Sequence, residues 1–260
     1  MGLKLLRWAA LGLAVVFTMV AWQRAACAQT DEIQVYDGDL AAPGIINLTW
    51  HNNYTPDGIK TPAFPGDIVS NHSWNGVTEW AYGVTDWFEA GLYFPLYSHD
   101  MNHDLTYNGF KLRTLFAVPH AADRVFFYGV NFEFSFNKKH WDQKTHTLEV
   151  RPIIGWHLGK VDLVFNPILD SSYNGIKKWE FDPETRIAYN IDKTWAVAAE
   201  EYDGFGPLNG FYAANQQTHQ LFGVIDYSGK PVDIEAGVGF GLTQASDNVT
   251  LKLILSADLN

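Results

Sequence analysis

The chain has 260 residues, with 29 acidic against 18 basic side chains, a net charge of −11 and one cysteine, Cys27. That balance excludes a nucleic-acid surface, and a lone cysteine excludes a disulfide framework. Aromatics make up 15% of a chain that is only 18% charged, and no stretch beyond the N-terminus is long and apolar enough for a membrane helix.

The chain opens on an export signal, read as residues 1–28. Lys4 and Arg7 form a basic region, Trp8 to Trp22 is apolar, and Ala26-Cys27-Ala28 is an A-x-A cleavage site. The apolar run is about fifteen residues, against the ~20 that a spanning helix needs. Arg24 stands where a lipid-attachment site carries an aliphatic residue, so Cys27 is not read as lipidated. Cleavage removes the cysteine and three basic residues, Lys4, Arg7 and Arg24, and makes the mature chain more acidic still. Residues 29–43 read as a polar leader, periplasmic or folded into a barrel mouth.

From residue 44 to the end, short stretches of alternating apolar and polar residues recur. They predict strands at 44–54, 76–84, 88–98, 106–117, 124–136, 145–157, 161–172, 177–189, 194–204, 218–227, 231–242 and 249–258. Most reach the ~9–11 residues of a tilted membrane-spanning strand. The connections alternate between short turns (85–87, 118–123, 158–160, 190–193 and 228–230) and mostly longer loops (55–75, 99–105, 137–144, 173–176, 205–217 and 243–248). The expected fold is therefore all-β: an antiparallel transmembrane barrel of about twelve strands, with short periplasmic turns and longer extracellular loops. An even strand count places both termini in the periplasm.

The alternation assigns faces. Phe88, Ala90, Leu92, Phe94 and Leu96 oppose Glu89, Gly91 and Tyr93; Val232, Ile234, Ala236, Val238, Phe240 and Leu242 oppose Asp233, Glu235, Gly237, Gly239 and Gly241. A soluble sandwich also alternates, but the large apolar side chains here are too continuous for one of its faces. Trp87, Trp156, Tyr189, Trp195 and Tyr227 flank the short turns, and Tyr97, Trp141 and Trp179 flank the outer loops. These are the expected aromatic girdles.

The lumen face is crowded with charge: Glu89, Lys111, Arg113, Glu133, Glu149, Arg151, Asp162, Asp170, Glu180, Asp182, Glu184, Arg186, Asp233, Glu235 and Lys252. Arg113, Glu133, Glu149 and Arg151 fall at similar depths on adjacent strands, which predicts one cross-strand ionic network. Such a network either holds the barrel shut or selects solutes by charge. The acidic run at 180, 182 and 184 lies nearer the outer mouth and attracts cations. Gly237, Gly239 and Gly241 leave room beside the wall for a solute or a plug. The 55–75 loop is expected to fold inward as a constriction.

His99 and His103, with Asp100 and Asp104, are of types that suit zinc or copper, but i,i+4 spacing converges only on a helix and nothing here predicts one. No metal or cofactor is expected. His51, His146, His157 and His219 fall on strands and are expected to make hydrogen bonds in the lumen or at the interfaces. No G-x-S-x-G elbow occurs and no His–Ser pair stands out, so no enzymatic activity is expected.

Several segments resemble a known family: Asp31-Glu-Ile-Gln-Val-Tyr36, Pro43-Gly44, His51-Asn-Asn-Tyr54, Glu79-Trp-Ala-Tyr-Gly-Val-Thr-Asp-Trp87 and Phe127-Tyr-Gly-Val-Asn-Phe-Glu133. Arg151-Pro-Ile-Ile-Gly155, Asn166-Pro-Ile-Leu-Asp170, Trp195-Ala-Val-Ala-Ala-Glu-Glu-Tyr202 and Gly237-Val-Gly-Phe-Gly241 fit as well. These segments are similar to proteobacterial outer-membrane barrels described as transporters and grouped with the phenol-degradation meta-pathway outer-membrane proteins. The resemblance implies residence in a Gram-negative outer membrane and transport of hydrophobic or aromatic compounds. It supplies no catalytic or binding residue. Many such barrels end in an aromatic residue read by the barrel-assembly machinery; here Leu259 precedes the terminal Asn260.

The sequence thus predicts a channel or facilitator for passive uptake of small solutes, its selectivity set by lumen charges. The expected partners are outer-membrane lipid and lipopolysaccharide, the assembly machinery and a small solute. The alternatives are a closed scaffold presenting its outer loops, or a membrane-embedded hydrolase.

Overall fold

The computed structural model describes residues 31–102 and 104–260. The export signal and His103 lie outside the described residues. Twelve antiparallel spans close into a barrel. They are β1 (Ile46–Asp57), β2 (Trp74–Thr85), β3 (Phe88–His99), β4 (Leu105–Ala117), β5 (Phe126–Asn137), β6 (His146–Leu158), β7 (Val161–Asn166, resuming at Leu169–Ser171), β8 (Glu180–Phe181 and Glu184–Asn190), β9 (Trp195–Gly204), β10 (Thr218–Tyr227), β11 (Asp233–Gly241) and β12 (Val249–Asp258). Each pairs with its chain neighbour, and β1 closes on β12 from Asn47↔Asp258 to Asp57↔Val249. Closure leaves no unpaired edge.

β7 and β8, each expected as one run, are each interrupted at a proline. Pro167 separates Asn166 from Leu169, and Pro183 separates Phe181 from Glu184. A proline has no N–H to give the ladder. The wall stays continuous through Asp182 N–H donating to the Ile168 carbonyl at 3.1 Å. The strip Gly206–Pro207 extends it by pairing with Glu180–Phe181.

Outward faces carry the apolar belt. Leu92, Leu112, Phe134, Phe165, Ile187, Leu221, Ile225, Leu251 and Leu253 are all more than a third exposed. A belt of this size around a closed barrel faces lipid, not water. Trp87, Trp156, Tyr189 and Trp195 stand exposed beside the short turns, and Tyr227 packs on Trp195 with ring centroids 4.9 Å apart. Trp141 departs from the expected girdle: it is buried, in a tight turn closed by its N–H to the Lys138 carbonyl. Leu96 also departs. The register shifts between Tyr93 and Leu96, where Pro95 interrupts the ladder, and this bulge turns Leu96 inward to pack with Val77 and Tyr93.

Above the outer mouth lies the loop expected at 55–75, which the longer β1 and β2 shorten to 58–73. Asp247, in the 243–248 loop, accepts the Ile59 N–H at 2.7 Å and the Ser70 hydroxyl at 2.6 Å. On the far side the Ile68 N–H donates to the His140 carbonyl. The loop thus spans the mouth between two other loops.

Candidate functional site

The leader supplies the centre of the lumen. Its residues Ile33, Val35 and Tyr36 are buried, so it lies well inside the barrel rather than in the periplasm or at the mouth. Ala41 N–H donates to Glu89 Oε2 near the periplasmic end, and Asp31 meets the Lys111 ammonium at 2.9 Å about midway along β4. Between these points Tyr36 and Asn166 exchange two hydrogen bonds: the Tyr36 N–H to Asn166 Oδ1 at 2.7 Å, and Asn166 Nδ2 to the Tyr36 carbonyl at 2.9 Å. Arg151 Nη1 donates to the Gln34 carbonyl at 2.7 Å. The apolar side chains of the leader pack against the inner wall, Val35 and Tyr36 with Leu115, Phe127, Ile153 and Val164, and Ile33 with Phe222 and Val224.

The glycines read as room for a solute or a plug make room chiefly for a side chain. A Cβ on Gly239 would stand 2.3 Å from the Phe222 ring, and one on Gly155 2.0 Å from the Phe127 ring. Both rings are buried beneath the leader.

The lumen charges form clusters rather than one network. Arg113 pairs with Glu89 and, at 2.8 Å, with Glu79, which in turn meets His51 Nε2 at 3.1 Å. Lys111 pairs with Asp31 and with Glu133 at 3.2 Å. Arg151 takes Glu149 at 2.7 Å and Glu184 at 3.2 Å. Arg186 holds Glu200 and Asp226, and Lys252 holds Glu200 and, at 2.6 Å, Glu235. The predicted network of Arg113, Glu133, Glu149 and Arg151 is therefore split. Although Arg113 and Glu133 are paired in register, the Tyr36 ring comes between the two guanidiniums, 5.6 Å from Arg113 Cζ and 4.4 Å from Arg151 Cζ, and each turns to other carboxylates.

Five predicted lumen residues stand outside these clusters. Glu180 is exposed at the outer end of β8, and Asp233 is exposed at the periplasmic end of β11, where it accepts the Gly229 N–H. Asp162 binds His157 at 2.7 Å near the periplasmic turn. Asp170 sits opposite Glu149, and Asp182 is half-buried beside it on the next strand. Sequence reasoning missed Glu79, Glu200, Asp226 and the leader residues, whereas His51, expected to hydrogen-bond in the lumen or at an interface, meets Glu79. Parity could have found Glu79, because Trp80, Tyr82 and Val84 face outward. Nothing in the leader's composition shows that it belongs inside.

No protein-family model matches the chain, and no curated protein matches it. Solved structures do. An outer membrane channel from Pseudomonas putida F1 aligns with a TM-score of 0.57 at 12% identity, covering 88% of this chain and all of that one. The translocator domain of the autotransporter NalP from Neisseria meningitidis aligns at 0.48 and 10% identity, over 85% of this chain and 90% of its own. The channel likeness establishes the fold, a twelve-strand outer-membrane barrel. Such a barrel with a lipid-facing belt resides in the outer membrane of a Gram-negative bacterium.

Proposed function

We propose that the protein is an outer-membrane channel for small solutes whose periplasmic half is closed by its own leader. One observation carries this reading: the ion pairs and rings of the lumen wall close around the leader, a segment that is not part of the wall. The wall beneath the leader is lined with charge, and the leader is tied to it by individual hydrogen bonds and ion pairs. A barrel built only as a scaffold needs no such lining. The fold likeness to an outer membrane channel supports the reading, and the family resemblance points to hydrophobic or aromatic solutes. Asp170, Asp182, Glu184 and the other lumen carboxylates favour cationic solutes or cationic groups once the path opens.

The test compares single-channel conductance of the full-length protein with that of a variant lacking residues 29–41, both purified from outer membranes. The wild-type barrel is expected to show small or rare openings, and the variant larger, steady, cation-preferring ones. A variant that folds, as judged by heat-modifiable migration, yet stays silent in the bilayer would overturn the channel reading. It would favour a closed scaffold, for which the docked outer loops would be the binding face.

A further inference from the structure

The outer loops sort their charge. Five of their six lysines fall on two neighbouring loops: Lys138, Lys139 and Lys144 on the β5–β6 hairpin, and Lys177 and Lys178 on the loop that follows β7. All five are exposed. The cations of the lumen are each held by carboxylates, and Lys60, the sixth outer lysine, pairs with Asp57 at 3.9 Å. The five have no carboxylate within ion-pair distance among the described residues. Elsewhere on the same rim the sign reverses: on β9 the outward run of Trp195, Val197 and Ala199 ends in Glu201 and Asp203. On the periplasmic side Lys160, Lys193 and Lys230 are spread over three separate turns.

The β5–β6 hairpin holds its lysines in place. Lys138 N–H donates to the Asn108 carbonyl of β4 at 2.7 Å, and the Lys138 carbonyl accepts the N–H groups of Trp141 and Asp142 at 2.9 and 3.0 Å. Lys144 N–H donates to Asp142 Oδ1 at 2.7 Å, and the Lys144 carbonyl accepts Asn137 Nδ2 at 3.2 Å. The Lys138 ammonium stands 5.5 Å from the centre of the exposed Tyr107 ring, which packs edge-on against Phe94. Beside them Phe110 stacks on Phe136 at 4.6 Å, and His146 meets Phe136 edge-on at 5.5 Å. Further down the same wall Leu112 and Phe134 are exposed. A lysine laid over an aromatic ring keeps its stem on apolar surface and its ammonium at headgroup level. The hairpin thus sets a group of cations above an aromatic and aliphatic wall that faces the outer leaflet.

We infer that this face docks a lipopolysaccharide molecule: Lys138, Lys139 and Lys144 bind the phosphates of its lipid A, and Phe110, Leu112, Phe134 and Phe136 take its acyl chains. Charge complementarity selects the occupant. Lysines clustered at headgroup level recognise anionic lipid headgroups, and the anionic lipid of the outer leaflet is lipopolysaccharide, with phosphates on the sugars that carry the chains. Lys177 and Lys178 extend the basic arc along the rim, and Glu201 and Asp203 disfavour the same lipid on the β9 side. The docking site is independent of the lumen and of the channel reading.

The test is native mass spectrometry of the full-length protein purified from outer membranes in mild detergent and titrated with bisphosphorylated lipid A. Wild type is expected to bind lipid A in preference to phosphatidylglycerol. Lys138→Ala with Lys139→Ala and Lys144→Ala is expected to weaken lipid A binding roughly 100-fold, at about fivefold per lysine, while leaving heat-modifiable migration intact. Lys160→Ala with Lys193→Ala and Lys230→Ala removes the same charge at the periplasmic turns and is expected to bind lipid A as wild type does. Equal losses in the two triple variants, or no preference over phosphatidylglycerol in folded wild type, overturn the inference. Binding of dephosphorylated lipid A at full strength also overturns it, because the affinity would then lie in the acyl chains alone.

Discussion

Lys252 shows what the lumen charges do for the fold. Its side chain is fully buried between Glu200 and Glu235 and reaches the Ile33 carbonyl of the leader at 3.3 Å. Removing one partner of a buried ion cluster strands the other charges, at a cost of roughly 3–5 kcal/mol, whereas removing both sides together is far less costly. Lys252→Met is therefore expected to destabilise the barrel by about that amount, and Lys252→Met with Glu200→Gln and Glu235→Gln to recover most of it. Urea unfolding followed by Trp fluorescence measures both; equal losses in the two variants would show that the cluster does not act as a unit. At this scale the sequence showed most of the lumen through period-two alternation, which places Arg113, Glu149 and Lys252 inside. It did not show pairings. Arg113 pairs with Glu79, two strands along the wall, rather than with its in-register neighbour Glu133, and the Tyr36 ring beside its guanidinium comes from a segment with no periodicity to read. Glu200 was hidden behind the alanine-rich run 196–199, where apolar and polar faces differ little.

The strands themselves were legible because each must cross the same apolar thickness with one greasy face. β10 and β12 match their expected ranges residue for residue, and β3 and β4 differ by one residue at an end. The failures sit at prolines: Pro95 at the bulge that turns Leu96 inward, and Pro167 and Pro183 where β7 and β8 break. Alternation continues past a proline in sequence although the ladder cannot. The 55–75 loop was expected to fold inward; it lies across the mouth, held at one end by Asp247. Burial raises the Asp247 carboxyl above the ordinary carboxylate range, against the lowering effect of the Ser70 hydroxyl and the Ile59 N–H. The docked carboxyl therefore binds a proton more readily than the undocked one. Docking is at full strength below the undocked value, ~3.9, and weakens as pH rises through the docked value. Hydrogen exchange of loop amides, corrected for intrinsic rates, is expected to show opening that grows with pH over that window. Asp247→Asn keeps an acceptor and should abolish the pH dependence. A variant with the wild-type pH profile would assign the effect to another group.

The molecule as a whole is a barrel turned inside out relative to a soluble one: its apolar packing lies partly outside, and its interior is a set of ion pairs closed around a borrowed segment. The two arrangements predict opposite responses to a charge placed on the outer wall. Leu253 lies at the middle of β12 and Ile234 near the periplasmic end of β11; both face outward, each 37% exposed, and the neighbouring residue Ala236 pairs with Leu253. In a bilayer, an arginine at the midplane costs roughly 2–4 kcal/mol and one near the interface ~0–1. In water the same substitutions on an exposed strand face stay within ±0.5 kcal/mol. Leu253→Arg should therefore lower the unfolding free energy in lipid vesicles by about 2–4 kcal/mol, with Ile234→Arg close to wild type. Equal costs at the two positions would misplace the belt along the barrel axis. Near-zero costs at both would mean that this wall does not face lipid. Because both side chains point away from the lumen, neither substitution touches the leader or the ion clusters, so the difference between them reports membrane depth alone.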